Sequence, residues 1–237
     1  FLFPALPSLF PIPTMPDVLI ADDHPLFRDA LQRAVLGALP EASVHCADSV
    51  HSLLALVEQY PEAELLLLDL HMPGARGYSA LAHIRGQFPG LPTIVVSGHE
   101  EAQVAQRALA HGASAYIPKS SSGEQIVQAI RTVLDGDVWL PHALLGDGGS
   151  ALKDDEAEVA TRVASLTPQQ FGVLTMIAEG LLNKQIAYDL GVSEATVKAH
   201  MTAIMRKLGV NNRTQVALAA SQLAVEPGAL QQPLPDD

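Results

Sequence analysis

Two hydrophobic periods divide this chain. Through residue 135, short apolar runs alternate with longer amphipathic stretches. The runs Val18-Leu-Ile-Ala21, Ser43-Val-His-Cys-Ala47, Leu65-Leu-Leu-Leu68, Thr93-Ile-Val-Val96 and Ala115-Tyr-Ile-Pro118 are bounded by Gly, Pro and polar residues. Runs of this length predict strands covered on both faces of a parallel sheet. The stretches between them predict helices over 25–37, 49–59, 77–88, 100–111 and 122–135. In the last of these, Ser122 with Gln125 makes a capping box, and Ile126, Ala129, Ile130, Val133 and Leu134 share one face. The expected fold class is α/β, a (βα)5 unit.

From Leu166 onward the period is helical only. Thr167-Pro-Gln-Gln170 combines an N-cap, a first-turn Pro and a Gln at the third position, and Gly180 closes the segment. A second helix is expected over 183–190, with Gly191-Val192 as the turn; Ser193 caps a third that ends at Gly209, and Asn212 with Gln215 starts a fourth. Short helices joined by a Gly-containing turn describe a helix-turn-helix. On a wheel, Val197, Met201, Ile204 and Leu208 of the third helix form a core face. The opposite arc carries Ala195, Lys198, Ala199, Thr202 and Arg206, small and cationic groups that can enter a DNA major groove. Lys184 and Arg213 stand at the starts of neighbouring helices, where they and backbone N–H groups can grip phosphates.

Charge sharpens this division. The formal net charge of −12 argues against nucleic-acid binding by the chain as a whole, but 17–140 carries −8 while 166–225 carries +2. The Gly-, Pro- and acid-rich stretch between them marks a linker, so the expected organisation is an apolar disordered extension (1–16), an α/β domain (17–137), a linker (138–165), a helical domain (166–225) and a disordered tail (226–237). The first 16 residues hold five prolines and no basic segment, which suits neither a signal peptide nor a membrane helix. Met15 is a natural start for a domain whose first strand begins at Asp17, so upstream mis-start or added sequence is the expectation for what precedes it. The single Cys46 cannot form an internal disulfide and suits a reducing cytoplasm.

Five chemistry-bearing residues follow the predicted strands: Asp22 and Asp23, Asp69, Ser97 and Lys119. Ligands of open α/β sheets bind beyond the carboxyl ends of the strands, so these residues are expected to form one site. An acidic pair, a central Asp, a Ser or Thr and a Lys at successive strand ends resemble the receiver domain of bacterial two-component response regulators over about 17–137. Leu-Thr-Pro-Gln at 166–169, Asn-Lys-Gln-Ile-Ala at 183–187, Thr-Val-Lys-Ala-His at 196–200 and Lys-Leu-Gly-Val at 207–210 resemble the LuxR-type four-helix DNA-binding domain. Together they resemble the NarL/FixJ subfamily across residues 17–224.

The resemblance implies a flavodoxin-like receiver joined to a helix-turn-helix domain. It makes Asp69 the phosphoacceptor, with Mg2+ held by Asp22, Asp23, Asp69 and the backbone carbonyl of His71. Lys119 and Ser97 then hold the phosphoryl oxygens, and Tyr116 is the aromatic that turns inward with Ser97. It places base contacts on Lys198, Ala199 and Thr202, which with Lys184, Thr196, Arg206 and Arg213 make up the expected DNA-binding set. It also implies dimer contacts through Val216, Ala219, Ala220 and Leu223, a stripe that sequence alone assigns equally well to the core. Thr202 departs from the Lys of some relatives, so operator preference does not transfer. His24 and His71 read as rim residues, because Mg2+ prefers oxygen ligands.

The implied partners are a sensor histidine kinase, a double-stranded DNA operator and, once phosphorylated, a second copy of the chain, with no membrane and no enzymatic turnover beyond phosphorylation and autodephosphorylation at Asp69. Three alternatives remain open at this point. One is a DNA-binding regulator that works without phosphate, and another is a receiver serving only as an adaptor. The third is a Mg2+-dependent phosphohydrolase, which lacks the expected general acid because position 71 is His.

Overall fold

The computed structural model describes residues 15–75, 77–144 and 154–224. Its first part is a five-stranded parallel sheet of order β2-β1-β3-β4-β5, formed by β1 (Asp17–Ala21), β2 (Ser43–Ala47), β3 (Leu65–Asp69), β4 (Thr93–Ser97) and β5 (Ala115–Pro118). The connecting helices are α1 (Pro25–Ala38), α2 (Val50–Gln59), α3 (Ser79–Gln87), α4 (Ala102–Ala110) and α5 (Gly123–Leu134). Side-chain parity assigns the two faces. Val18, Ile20, Leu65, Leu67, Ile94, Val96, Ala115 and Ile117 pack with α1 and α5; Leu19, Ala21, Leu66, Leu68, Val95 and Tyr116 pack on the opposite side, with α2, α3 and α4.

Local signals set the helix starts. Ser122 Oγ accepts from the N–H of Gln125 while Gln125 Oε1 accepts from the N–H of Ser122, which completes the expected capping box. Thr167 and Gln170 do the same for α7 (Pro168–Ala178). Then follow α8 (Asn183–Asp189), α9 (Glu194–Leu208) and α10 (Arg213–Gln222). Ser193 caps α9, whose end turns at Gly209 with φ 70°, a conformation that favours glycine.

The stretch expected as a linker is only partly one. Trp139 runs beside β5, its N–H donating to Ser114 O and its carbonyl accepting from the N–H of Tyr116. A further helix, α6 (Asp154–Ala164), packs against α3. The polar composition that marks a linker also suits a helix that buries Glu156 and Val163 and leaves its other side in water. The proposed tail 226–237, most of the extension 1–16 and the middle of the linker lie outside the described residues.

Candidate phosphoacceptor site and DNA-facing helix

The sheet brings Asp22, Asp23, Asp69, Ser97 and Lys119 to its carboxyl edge, as the strand ends require. Asp69 is buried, and both of its oxygens are occupied: Oδ1 accepts from the N–H of His71 at 3.0 Å, and Oδ2 lies 2.8 Å from Lys119 Nζ. The same ammonium is 2.8 Å from Asp22 Oδ2. Burial alone pulls the Lys119 pKa down, but the bonds to Asp22 and Asp69 outweigh it, so the amine is held above its ordinary value and charged. Asp22 Oδ1 accepts from the N–H of His24 at 2.8 Å, and Asp23 Oδ1 lies 2.7 Å from His24 Nδ1.

Ligand atoms of Asp22, Asp23, His24 and Asp69 lie within 4.8 Å of one another. Asp22 Oδ2 and Asp23 Oδ1 are buried with no directional hydrogen bond, only the ion-pair approach of Lys119 and His24. An oxygen-rich, anionic pocket with unspent lone pairs fits a hard divalent cation such as Mg2+. His24 brings its imidazole to the rim, where its side chain is 64% exposed.

Ser97 is fully buried; its Oγ accepts from the N–H of His99, and its carbonyl accepts from the N–H of Lys119 at 2.7 Å, which ties the ends of β4 and β5 together. Tyr116 is inward in this structure, fully buried, its hydroxyl donating to the carbonyl of His99 at 2.8 Å; burial pushes the phenol up to about 12. His71 exposes its ring at the mouth, 5.0 Å from that of His99.

The small and cationic arc of α9 is also formed. Thr196, Lys198, Ala199, Thr202 and Arg206 of α9 are exposed, while Val197, Met201, Ile204 and Leu208 are buried, as the wheel predicts. Lys184 is exposed on α8. Arg213 is half-buried and donates to Asn183 Oδ1 and to the carbonyl of Leu181, which ties it to the turn before α8. The stripe that sequence assigned equally to a dimer contact and to the core packs inward. Val216, Ala219, Ala220 and Leu223 lie in the hydrophobic core, because α10 turns its apolar side onto α7, and its solvent side carries Thr214, Gln215 and Leu218.

The pattern along the chain did not single out the seam between the two parts. Glu156 of α6 is buried between Arg107 Nη2 and His111 Nε2, both at 2.7 Å. His83 of α3 stacks on Phe171 of α7, centroids 4.1 Å apart, and the N–H of Tyr78 donates to the carbonyl of Leu223.

Comparison with known proteins follows the same two-part division. Residues 18–131 match the family model for the response regulator receiver domain, and residues 164–220 match that for bacterial regulatory proteins of the luxR family. The chain is 39% identical over 210 residues to the glycerol metabolism activator of Pseudomonas putida, covering 87% of this chain and 95% of the relative. It is 32% identical over 207 residues to the nitrate/nitrite response regulator protein NarL of Escherichia coli K12, covering 86% and 94%. Among solved structures, RcsB of Salmonella enterica serovar Typhimurium, bound to a promoter in the presence of the phosphomimetic BeF3−, shares the fold at a TM-score of 0.50 and 24% identity, covering 89% of this chain and 100% of that one. With a receiver sheet carrying the acidic cluster and a four-helix domain presenting a cationic helix, the chain belongs to the NarL/FixJ-type response regulators, DNA-binding regulators of transcription.

Proposed function

We propose that this chain takes a phosphoryl group on Asp69 from a sensor histidine kinase, and that phosphorylation promotes dimerisation and binding to a double-stranded DNA operator in the cytoplasm. The observation that carries the reading is the Lys119 ammonium, 2.8 Å from both Asp22 and Asp69 at the sheet's carboxyl edge. A charged amine on the central carboxylate is what an incoming phosphoryl group needs as a counter-ion. In the transfer, an Asp69 oxygen attacks phosphorus, the Oδ–P bond forms as the N–P bond to the kinase histidine breaks, and the imidazole leaves. Ser97 and Lys119 hold the phosphoryl oxygens. Asp22, Asp23, Asp69 and the His71 carbonyl are the groups for Mg2+, which when bound supplies positive charge against those oxygens.

The energies suffice for a switch. One to three charge-assisted hydrogen bonds at roughly 1.5–3 kcal/mol each supply most of the ~5.5 kcal/mol that inverts a 1:99 population. DNA contact falls to Lys198, Ala199, Thr202, Thr196 and Arg206, with Lys184 on phosphate. Two linked modules on one palindrome then gain avidity that neither has alone. The test is selection of genomic DNA fragments by the full chain with Mg2+, with and without beryllofluoride. Enrichment of palindromic sites only with beryllofluoride is the expected result; equal enrichment in both leaves a regulator that works without phosphate, and none in either removes the DNA-binding role.

A further inference from the structure

Carboxylates are not the only groups that hold Lys119. Phe27, in the first turn of α1, turns its ring to the ammonium, with Nζ 5.0 Å from the centroid. The ring is half-buried and anchored on the apolar cluster between α1, α5 and the sheet. His24 Nδ1, on the same turn, lies 3.5 Å from the ammonium. Because Arg28 Nη1 donates to the carbonyl of Asp22 at 3.0 Å, this turn of α1 is fixed to the end of β1 that carries the acidic pair.

The two carboxylates cannot hold Lys119 constantly through phosphorylation. On phosphorylation Asp69 Oδ2 becomes part of an acyl phosphate and the ammonium passes from it to a phosphoryl oxygen, and Asp22 is a candidate metal ligand whose charge a cation would share. The attraction between an ammonium and the face of an aromatic ring depends on neither event. A ring fixed by its own core packing therefore gives the amine a contact common to every state of the site. We infer that Phe27 is a positioning residue for phosphoryl uptake, its ring face keeping the Lys119 ammonium at the phosphoacceptor while the charge of the carboxylates is redistributed. The inference rests on the phosphoacceptor reading of Asp69. An aliphatic residue of similar volume fills the same space and anchors α1 but has no quadrupole, so packing and positioning are separable.

The experiment uses the full chain with Phe27 replaced by Leu, by Tyr and by 3,4,5-trifluorophenylalanine, which keeps the ring's shape and removes most of its attraction for cations. Acetyl phosphate with Mg2+ serves as the donor, so that the rate reads the site without a partner protein. Phosphoprotein formation is followed on phosphate-affinity gels, the ring-current shift of the Lys119 methylene protons in metal-free protein is read by NMR, and unfolding midpoints are recorded alongside. The expected outcome is an initial rate about three- to tenfold lower for the Leu and trifluoro variants, with the Tyr variant restoring the rate and the trifluoro variant unfolding at the wild-type midpoint. The ring-current shift is lost in the Leu variant. A trifluoro variant phosphorylated at the wild-type rate overturns the inference, and it does so even if the Leu variant fails to fold. A wild-type chain that takes up no phosphate overturns the phosphoacceptor reading, and this inference with it.

Discussion

At the scale of single residues, Lys119 is the counter-ion of two carboxylates at once. In this structure it neutralises Asp22 and Asp69, which lets both carboxylates stay buried. Its replacement by Met leaves that negative charge for a cation, so Mg2+ affinity by calorimetry is expected to rise about tenfold, equivalent to one lost charge-assisted contact. Phosphorylation of the same variant is expected to yield no increase in DNA binding. Asp69→Asn is expected to abolish phosphoprotein formation, and a stable phosphoprotein in that variant refutes the assignment. On the DNA side, Lys198→Ala is expected to cost roughly 1–3 kcal/mol of operator affinity with relaxed base preference. Arg213→Ala is expected to lower the melting temperature of the helical part before it changes DNA affinity, because its guanidinium holds the Leu181 and Asn183 turn.

At the scale of elements, α3 and α6 approach so closely that their contact depends on one missing side chain. A Cβ built at Gly86 stands 2.7 Å from the backbone oxygen of Ala164, and Gln87 Nε2 donates to that same oxygen at 2.7 Å. Gly86→Ala therefore acts in opposite senses on two levels. It favours α3 as a helix by about 1 kcal/mol, and it forces α6 away. The expected outcome is a receiver as stable as before or more so, with faster hydrogen exchange in α6; unchanged exchange there shows that the helices shift together at no cost. Capping is more local: Thr167→Ala is expected to destabilise α7 by about 1 kcal/mol.

At the scale of the whole molecule, the seam is a titratable surface. His83 is fully buried against Phe171, neither ring nitrogen makes a directional hydrogen bond, and burial pushes its pKa down to about 4, with the Val163 backbone offsetting part of that. The charged groups of the packed helices are turned elsewhere: Arg85 binds the carbonyls of Pro89 and Leu91, and Arg162 binds Glu158. His111 faces Glu156, Arg107 and the Tyr78 ring, and burial lowers it despite the Glu156 bond. Separation of the two parts would return His83 to water; above the ordinary value of 6.5 the ring is neutral in contact and apart, so closure carries no proton penalty. As pH falls from 6.5 toward 4 the open form gains a proton that the closed form refuses, and closure weakens by on the order of 3 kcal/mol across that window. X-ray scattering between pH 8 and pH 5 is expected to show expansion in acid that His83→Phe reduces; expansion unaffected by that substitution assigns the response to other groups.

The sequence by itself determined the elements of the sheet domain and the four C-terminal helices, though not α6, and the clustering of the site. Runs such as Leu65 to Leu68 have the length and apolarity of a strand buried on both faces, and a parallel sheet must bring the residues after its strands to one edge, so Asp22, Asp69, Ser97 and Lys119 were legible as a cluster. Capping at Ser122, Thr167, Ser193 and Asn212 is a local chemical event, and it too was legible. Contacts between elements far apart in the chain follow from how surfaces meet, and no periodicity encodes that. Whether the stripe from Val216 to Leu223 lay in the core was undecided until α10 was seen against α7, and the two acceptors that Arg213 binds were not legible at all. The place of α6, the burial of Glu156 between Arg107 and His111, and the ring of Phe27 over Lys119 were decided only by tertiary packing, because each pairs residues that no local spacing relates.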